Sequence, residues 1–150
     1  MPDNLPTPTT SPFQSWKGEH AGIRVPDFDA AVTWYTEKLD FRLTRSSVLG
    51  ASTFGFLSPA GDDGFGLELL ANPNGAERPA YTDLGGSHNQ MGWHHICFRT
   101  DDVAAGIDEL RRRGVQIVSE PFDVAAFGIR FAFFADPWGN LFELLQTVER

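Results

Sequence analysis

Four side chains stand out for the chemistry they could do together: His20, Glu68, His95 and Glu143. The two histidines are 75 residues apart, and so are the two glutamates. Imidazole nitrogen and carboxylate oxygen make a mixed donor set for a divalent ion. It suits Zn, Ni, Co, Mn or Fe(II) and lacks the sulfur that would narrow the choice. Four protein donors in an octahedral sphere leave two positions for water or substrate, and two carboxylates cancel a 2+ charge. Singly, each residue has a blander reading. A histidine on a strand is usually hydrogen-bonded or solvated, and a glutamate inside Leu67-Glu-Leu-Leu70 is usually the wet side of an amphipathic strand. It is the shared spacing that joins them.

That spacing runs through the elements that must position them. Residues 17–25 read as a strand with Ala21, Ile23 and Val25 on one face, which sends His20, Gly22 and Arg24 to the other. Asp27 can cap a helix carrying Phe28, Ala31, Val32, Tyr35 and Leu39 at helical spacing. Strand-like runs follow near 41–49, 52–58 and 64–71. The order then repeats. A strand over Trp93–Thr100 has Ile96 and Phe98 on one face, and His95, Cys97 and Arg99 on the other. A cap at Asp101 or Asp102 opens a helix with Val103, Ile107 and Leu110, closed by Gly114. Strands are expected near 115–118, 129–135 and 140–147, with Ser119–Gly128 as a loop. A shift of 75 lays His20-Ala-Gly-Ile-Arg24 on His95-Ile-Cys-Phe-Arg99, Asp27 on Asp102, and Gly64–Leu70 on Gly139–Leu145. A duplicated strand–helix–strand–strand–strand unit is the expected organisation. Glu68 and Glu143 alternate with core-facing neighbours, so all four candidate ligands fall on the sheet face away from the helices. If the sheet curls, that face lines a cup.

The rest of the chain bounds the answer. A length of 150 residues fits one domain, and 41% hydrophobic with 21% charged residues fits a globular one. The formal charge of −8 argues against nucleic acid and anionic membrane as partners. Arg111-Arg112-Arg113 is too short a basic run to alter this. A single cysteine, Cys97, excludes an intrachain disulfide and fits a reducing compartment. No apolar run approaches the ~18 residues of a membrane span, and no signal peptide is visible, so a cytoplasmic location is expected. Residues 1–15 hold four of the ten prolines and read as a flexible tail. A single domain over 16–150 is expected to comprise module 1 at about 16–71, a polar Gly/Pro/Asn-rich linker or lid at 72–92, and module 2 at about 93–148.

Other candidates carry less. Strict alternation points His94 away from His95, as a packing or capping residue. His88 falls in the linker, solvated or part of a lid. Cys97 shares the face of His95 and reads as a small wall residue. Arg24 and Arg99 share the ligand face, either salt-bridged at the rim or binding an anionic substrate. No phosphate loop, serine nucleophile elbow or Cys–His pair is recognisable.

With these residues in hand, the sequence resembles the vicinal oxygen chelate superfamily, which includes glyoxalase I, methylmalonyl-CoA epimerase, extradiol dioxygenases and bleomycin-resistance proteins. The matching stretches are His20-Ala-Gly-Ile-Arg-Val-Pro-Asp27, Trp34-Tyr-Thr-Glu-Lys-Leu-Asp-Phe41, His95-Ile-Cys-Phe98 and Asp136-Pro-Trp-Gly-Asn-Leu-Phe-Glu143. The likeness spans about Trp16–Thr147. Asp40 departs from it, standing where the family usually has Gly, and Trp138 sits inside the Asp-Pro-x-Gly turn. The resemblance implies an α+β fold of two paired βαβββ modules, forming a curved mixed sheet with the helices outside. It also implies a metal at the base of the cup and a homodimer. His20, Glu68, His95 and Glu143 fall on the family's four ligand positions. Some members build each site from one chain and others from two.

The expected chemistry follows from the ligand count. Extradiol dioxygenases use two His and one carboxylate, and a second Glu would fill a position that catecholate or oxygen needs. Antibiotic-binding members generally lack the metal set. Both remain as alternatives to a glyoxalase-like lyase or isomerase, in which the metal chelates vicinal oxygens of a small carbonyl substrate and stabilises an enediolate. Glu143 or Glu68 would move the proton, with Glu143 preferred. Phe122 and Phe127, on the Ser119–Gly128 loop, are expected as apolar contacts to the substrate.

Overall fold

The alternation of apolar and polar residues sets the strands, and aspartates open both long helices. A computed structural model describes residues 10–76, 83–89 and 91–148. Module 1 contains β1 (His20–Val25), α1 (Phe28–Leu39), β2 (Arg42–Leu49), β3 (Ser52–Ser58) and β4 (Gly66–Ala71). Module 2 contains β5 (His95–Arg99), α3 (Val103–Arg112), β6 (Gln116–Val124), β7 (Ile129–Ala135) and β8 (Leu141–Thr147). Between them lies a one-turn helix, α2 (Leu84–Ser87).

Each module forms a four-stranded mixed sheet, ordered β1-β4-β3-β2 and β5-β8-β7-β6. The single parallel pair of each sheet, β1 with β4 and β5 with β8, is made possible by the helical crossover that precedes β2 and β6. Register places Gly22 opposite Glu68 and Cys97 opposite Glu143. The duplicated α+β architecture is therefore as the sequence implies, with the hydrogen bonding divided into two half-sheets.

Asp27 Oδ1 accepts from the Ala30 amide at 2.8 Å, and Asp102 Oδ1 from the Ala105 amide at 3.0 Å. Each satisfies an otherwise orphaned first-turn donor. α3 gives way to Gly114 at φ 77°, as glycine permits. Asp40 takes the same left-handed conformation after α1, at φ 54°. Its carboxylate meets Arg113 Nη1 at 2.9 Å, and Lys38 Nζ donates to the Arg113 carbonyl at 2.8 Å. The departure from Gly at this position thus supplies a link between modules.

The helix-facing sides of both sheets share one core. It joins Ile23, Val25, Leu57, Leu67 and Leu69 to Ile107, Leu110, Phe134 and Phe142. Tyr35 is wholly buried at the junction, and its hydroxyl donates to Asp136 Oδ2 of module 2 at 2.6 Å. The Asp136 carboxylate also accepts from the Trp138 amide and from the Asn140 amide and side chain. The face of each sheet that carries the candidate ligands is the one turned away from this core.

Two expectations change. Ser119–Gly128 is not a loop throughout, because β6 continues to Val124. Register shifts between Ile117 and Ser119 and between Ser119 and Phe122 absorb Pro121 and let Phe122 pair with Phe131. The linker is not wholly irregular either, since Asp83 caps α2 by accepting from the Gly86 amide at 2.8 Å. Residues 1–9 of the expected tail, and 77–82 and 90 of the linker, lie outside the described residues. Residues 12–15 form turns, and the rings of Phe13 and Trp16 lie 4.6 Å apart. Among the described residues no helix is long and apolar enough to cross a membrane.

Candidate metal centre

β1 and β4 bring His20 to Glu68, with Nε2 3.5 Å from Oε2. β5 and β8 bring His95 to Glu143, with Nε2 3.0 Å from Oε2. The two pairs occupy equivalent places in the two modules, as the offset of 75 requires. They are not gathered into one foursome. Among the described residues no three His, Cys, Asp or Glu side chains converge on a common point for an ion. The sequence brings out the pairs, and the fold of one chain keeps them apart.

The surroundings of each pair are alike. The His20 ring stands edge-on to Phe56 at 5.2 Å, and the His95 ring edge-on to Phe133 at 5.1 Å. Phe56 lies opposite Glu68, and Phe133 opposite Glu143. Each imidazole also has its Nδ1 taken. Glu19 Oε2 bonds His20 Nδ1, while His94 Nδ1 lies 2.8 Å from His95 Nδ1. The second nitrogen of His94 lies 2.8 Å from Ser87 Oγ, which itself donates to the Leu84 carbonyl at 2.7 Å.

Counting donors and acceptors assigns the tautomers. The Glu19 carboxylate can only accept, so His20 carries its proton on Nδ1. The single Ser87 hydroxyl proton goes to Leu84, so His94 Nε2–H donates to Ser87. That leaves His94 Nδ1 as an acceptor, filled by the Nδ1–H of His95. In the neutral form of each ring, Nε2 of His20 and of His95 then holds the lone pair, facing a carboxylate oxygen. Two acceptors in contact are unfavourable unless a cation, proton or metal, lies with them. The donor set therefore fits a divalent ion, as two halves.

His94 is the main correction. Strict alternation failed because His94 precedes β5, where the strand's two-residue repeat does not yet apply. Glu19 and His94 were missed as partners, yet both immediately precede a candidate ligand and are themselves 75 apart. Phe56 and Phe133 were missed because insertions between strands break the offset there. His88 is exposed, with its ring 5.0 Å from that of His94.

The remaining candidates divide. Cys97 lies opposite Glu143; loss of water around the sulfur, then the Glu143 hydrogen bond and charge, push its thiol up to about 12. Arg99 donates to Thr147 Oγ1 at 2.6 Å, and Arg24 is exposed on β1. Phe122 packs on Phe131, ring centroids 4.1 Å apart, while Phe127 is exposed in the β6–β7 turn. A cleft of about 870 Å³ runs between β1, β5 and the turn at Asp136–Leu141. His20 and His95 line it, but Glu68 and Glu143 do not, so the cleft is not itself the candidate centre.

Known proteins agree with this architecture. A probable chloroplastic lactoylglutathione lyase of Arabidopsis thaliana is 31% identical over 130 residues, 85% of this chain and 35% of that protein. A 2-epi-5-epi-valiolone epimerase of Actinomyces sp. is 31% identical, over 79% of this chain and 61% of its own length. These matches span only part of both enzymes. Among solved structures, glyoxalase I from Zea mays superposes with TM-score 0.69 at 28% identity, covering 89% of this chain and 45% of that one. TnmS3, an antibiotic binding protein from Streptomyces sp. CB03234, superposes with TM-score 0.64 at 26% identity, covering 88% and 96%. The family model for the Glyoxalase/Bleomycin resistance protein/Dioxygenase superfamily matches residues 18–144, and the chain belongs to that superfamily.

Proposed function

We propose that the chain is a metal-dependent enzyme of lyase or isomerase type. His20, Glu68, His95 and Glu143 would hold a divalent ion, and two copies of the chain would complete each site. One observation carries this reading: in both modules an imidazole Nε2 faces a carboxylate oxygen, at 3.5 Å and 3.0 Å. Two observations favour completion by a second copy. The pairs sit on faces turned from the shared core, and the outer edges of β1 and β5 carry no neighbouring strand among the described residues. Unpaired edges are ready templates for joining another chain.

A divalent ion bound there supplies Lewis-acid polarisation of vicinal oxygens in a small carbonyl substrate. The protein's own groups would do the rest. Glu143 is buried, only 8% exposed, and sits beside Cys97, so it is the better shielded carboxylate to take a proton from carbon and return it. Glu68 is the more exposed alternative. Phe133, Phe131 and Phe122 form an aromatic wall on the Glu143 face that keeps water from it. Arg24 and Arg99, on the ligand-bearing strands, would take an anionic group of the substrate.

A second reading, a small-molecule binding protein, draws on that aromatic wall and on the likeness to TnmS3. Mixing separates the readings. A variant lacking His20 and Glu68 is refolded together with one lacking His95 and Glu143. Metal uptake and activity toward a panel of hemithioacetals and acyl-CoA esters should return only in the mixture. Two inert parents and an inert mixture, beside a wild type that binds metal, would place each site within one chain. A wild type that binds small aromatics but no metal would favour the binding protein.

A further inference from the structure

We propose that Ser87 and His94 are positioning residues for His95, making the linker helix α2 a working part of the module 2 half of the centre. This rests on the metal reading above. The route is continuous: Leu84 carbonyl, Ser87 hydroxyl, His94 and His95 follow one another at 2.7, 2.8 and 2.8 Å. Its polarity is fixed at the far end, because a carbonyl can only accept. The proton order set there leaves His95 Nε2 bare toward Glu143. An outer partner that fixes the tautomer and ring orientation of a ligand histidine sustains metal affinity.

α2 is held where it can do this. Ser87 is 5% exposed, and Leu84 packs against the cluster of Val118, Phe133, Ala135 and Leu141 on the Glu143 side of the sheet. Phe133 is also the ring that meets both His94 and His95. One leucine and one serine thus tie the linker to the ligand histidine. Among the described residues module 1 shows no such dependence. At the position equivalent to His94 it carries Glu19, a carboxylate that accepts directly from His20 Nδ1 and pairs with Arg45 at 3.5 Å. The two halves therefore differ in kind. One is held by an adjacent carboxylate, and the other through His94 by the hydroxyl of a separate segment.

The test uses the full chain, freed of metal, as wild type, Ser87→Ala, Ser87→Thr, His94→Gln and, as a control, Glu19→Gln. Long-range proton–nitrogen NMR reads the His95 tautomer without any metal, and competition with a chromophoric chelator reads the Ni²⁺ dissociation constant. The wild type should show His95 protonated on Nδ1. Ser87→Ala and His94→Gln should mix the tautomers and weaken Ni²⁺ binding about 10–100-fold. Ser87→Thr, which keeps the hydroxyl, should stay near wild type. Glu19→Gln should change His20 and leave the His95 tautomer alone. Thermal melting of each metal-free protein confirms that the fold persists, and the glutamine variant stands in if the alanine variant unfolds. An unchanged His95 tautomer in both Ser87→Ala and His94→Gln overturns the proposal. A wild type that takes up no Ni²⁺ overturns the metal reading instead, while the tautomer measurement still decides the role of Ser87 and His94.

Discussion

Replacing Tyr35 with phenylalanine removes one oxygen from the junction between the modules. That oxygen donates to Asp136 at 2.6 Å inside a fully buried site. A hydrogen bond to a charged group contributes about 1.5–3 kcal/mol. The lower half of that range applies, because Asp136 keeps the donors of Trp138 at 3.0 Å and Asn140 at 2.7 Å and is not left bare. A loss of about 1.5–2 kcal/mol in a chain this size lowers Tm by roughly 3–8 °C. The loss should depend on pH. Burial raises the Asp136 carboxyl above the ordinary range, and the Tyr35 and Asn140 donors pull it back. Removing the hydroxyl lets it rise further. The difference between wild type and variant should therefore be full where Asp136 is ionised and shrink as acid protonates it. Urea unfolding at several pH values reads both the size and the trend. The Tyr35→Phe, Asp136→Asn and double variants then form a cycle that isolates the coupling. A phenylalanine variant within about 0.5 kcal/mol of wild type, the ordinary scatter of surface changes, would refute the claim that this bond holds the modules together.

Other consequences are as direct. The Cys97 thiol, pushed up to about 12, should react slowly with iodoacetamide at pH 8 although it is exposed; Glu143→Gln removes one cause of the rise and should speed alkylation, while an unchanged rate would separate the two side chains. Arg112 and Arg113 hold Glu109 down at about 2 against an ordinary 4.5. The stability this gives is present above 4.5 and is lost as pH falls from there through about 2, so Glu109→Gln should flatten the acid limb of a stability–pH curve. Gly55→Ala would set a methyl 2.6 Å from the Phe28 ring, and should cost about 1–3 kcal/mol with an unchanged urea m value.

Much of this was legible in the sequence, and the reasons are particular. Asp27 and Asp102 mark helix starts because a short carboxylate reaches the first-turn amides. Leu67-Glu-Leu fixes the face of Glu68, because a strand has a two-residue repeat. The offset of 75 then carries the reading of β1, the helix cap and β4 over to β5, the second cap and β8. What escaped lies where those periodicities lapse. His94 sits one residue before its strand begins, so alternation aimed it wrongly. β6 shifts register on either side of Ser119 and carries Pro121, and this irregularity hid six residues of strand, 119–124. Ser87 belongs to a linker whose Gly-rich composition gives no helical signal, and the Asp83 cap, the packing of Leu84 and the bond from Ser87 to His94 hold it. The separation of the two ligand pairs was beyond reach as well. Alternation says which face a side chain takes, and it is silent on how two sheets are set against one another.

If His20, Glu68, His95 and Glu143 together hold a divalent ion, equilibrium dialysis of the metal-free chain against Ni²⁺, beside the four single alanine variants, will show it. The expected result is one ion per chain for the wild type and markedly weaker uptake by every variant, whichever module it alters. Saturable uptake that survives loss of either histidine, or a wild type that binds no ion, would contradict it.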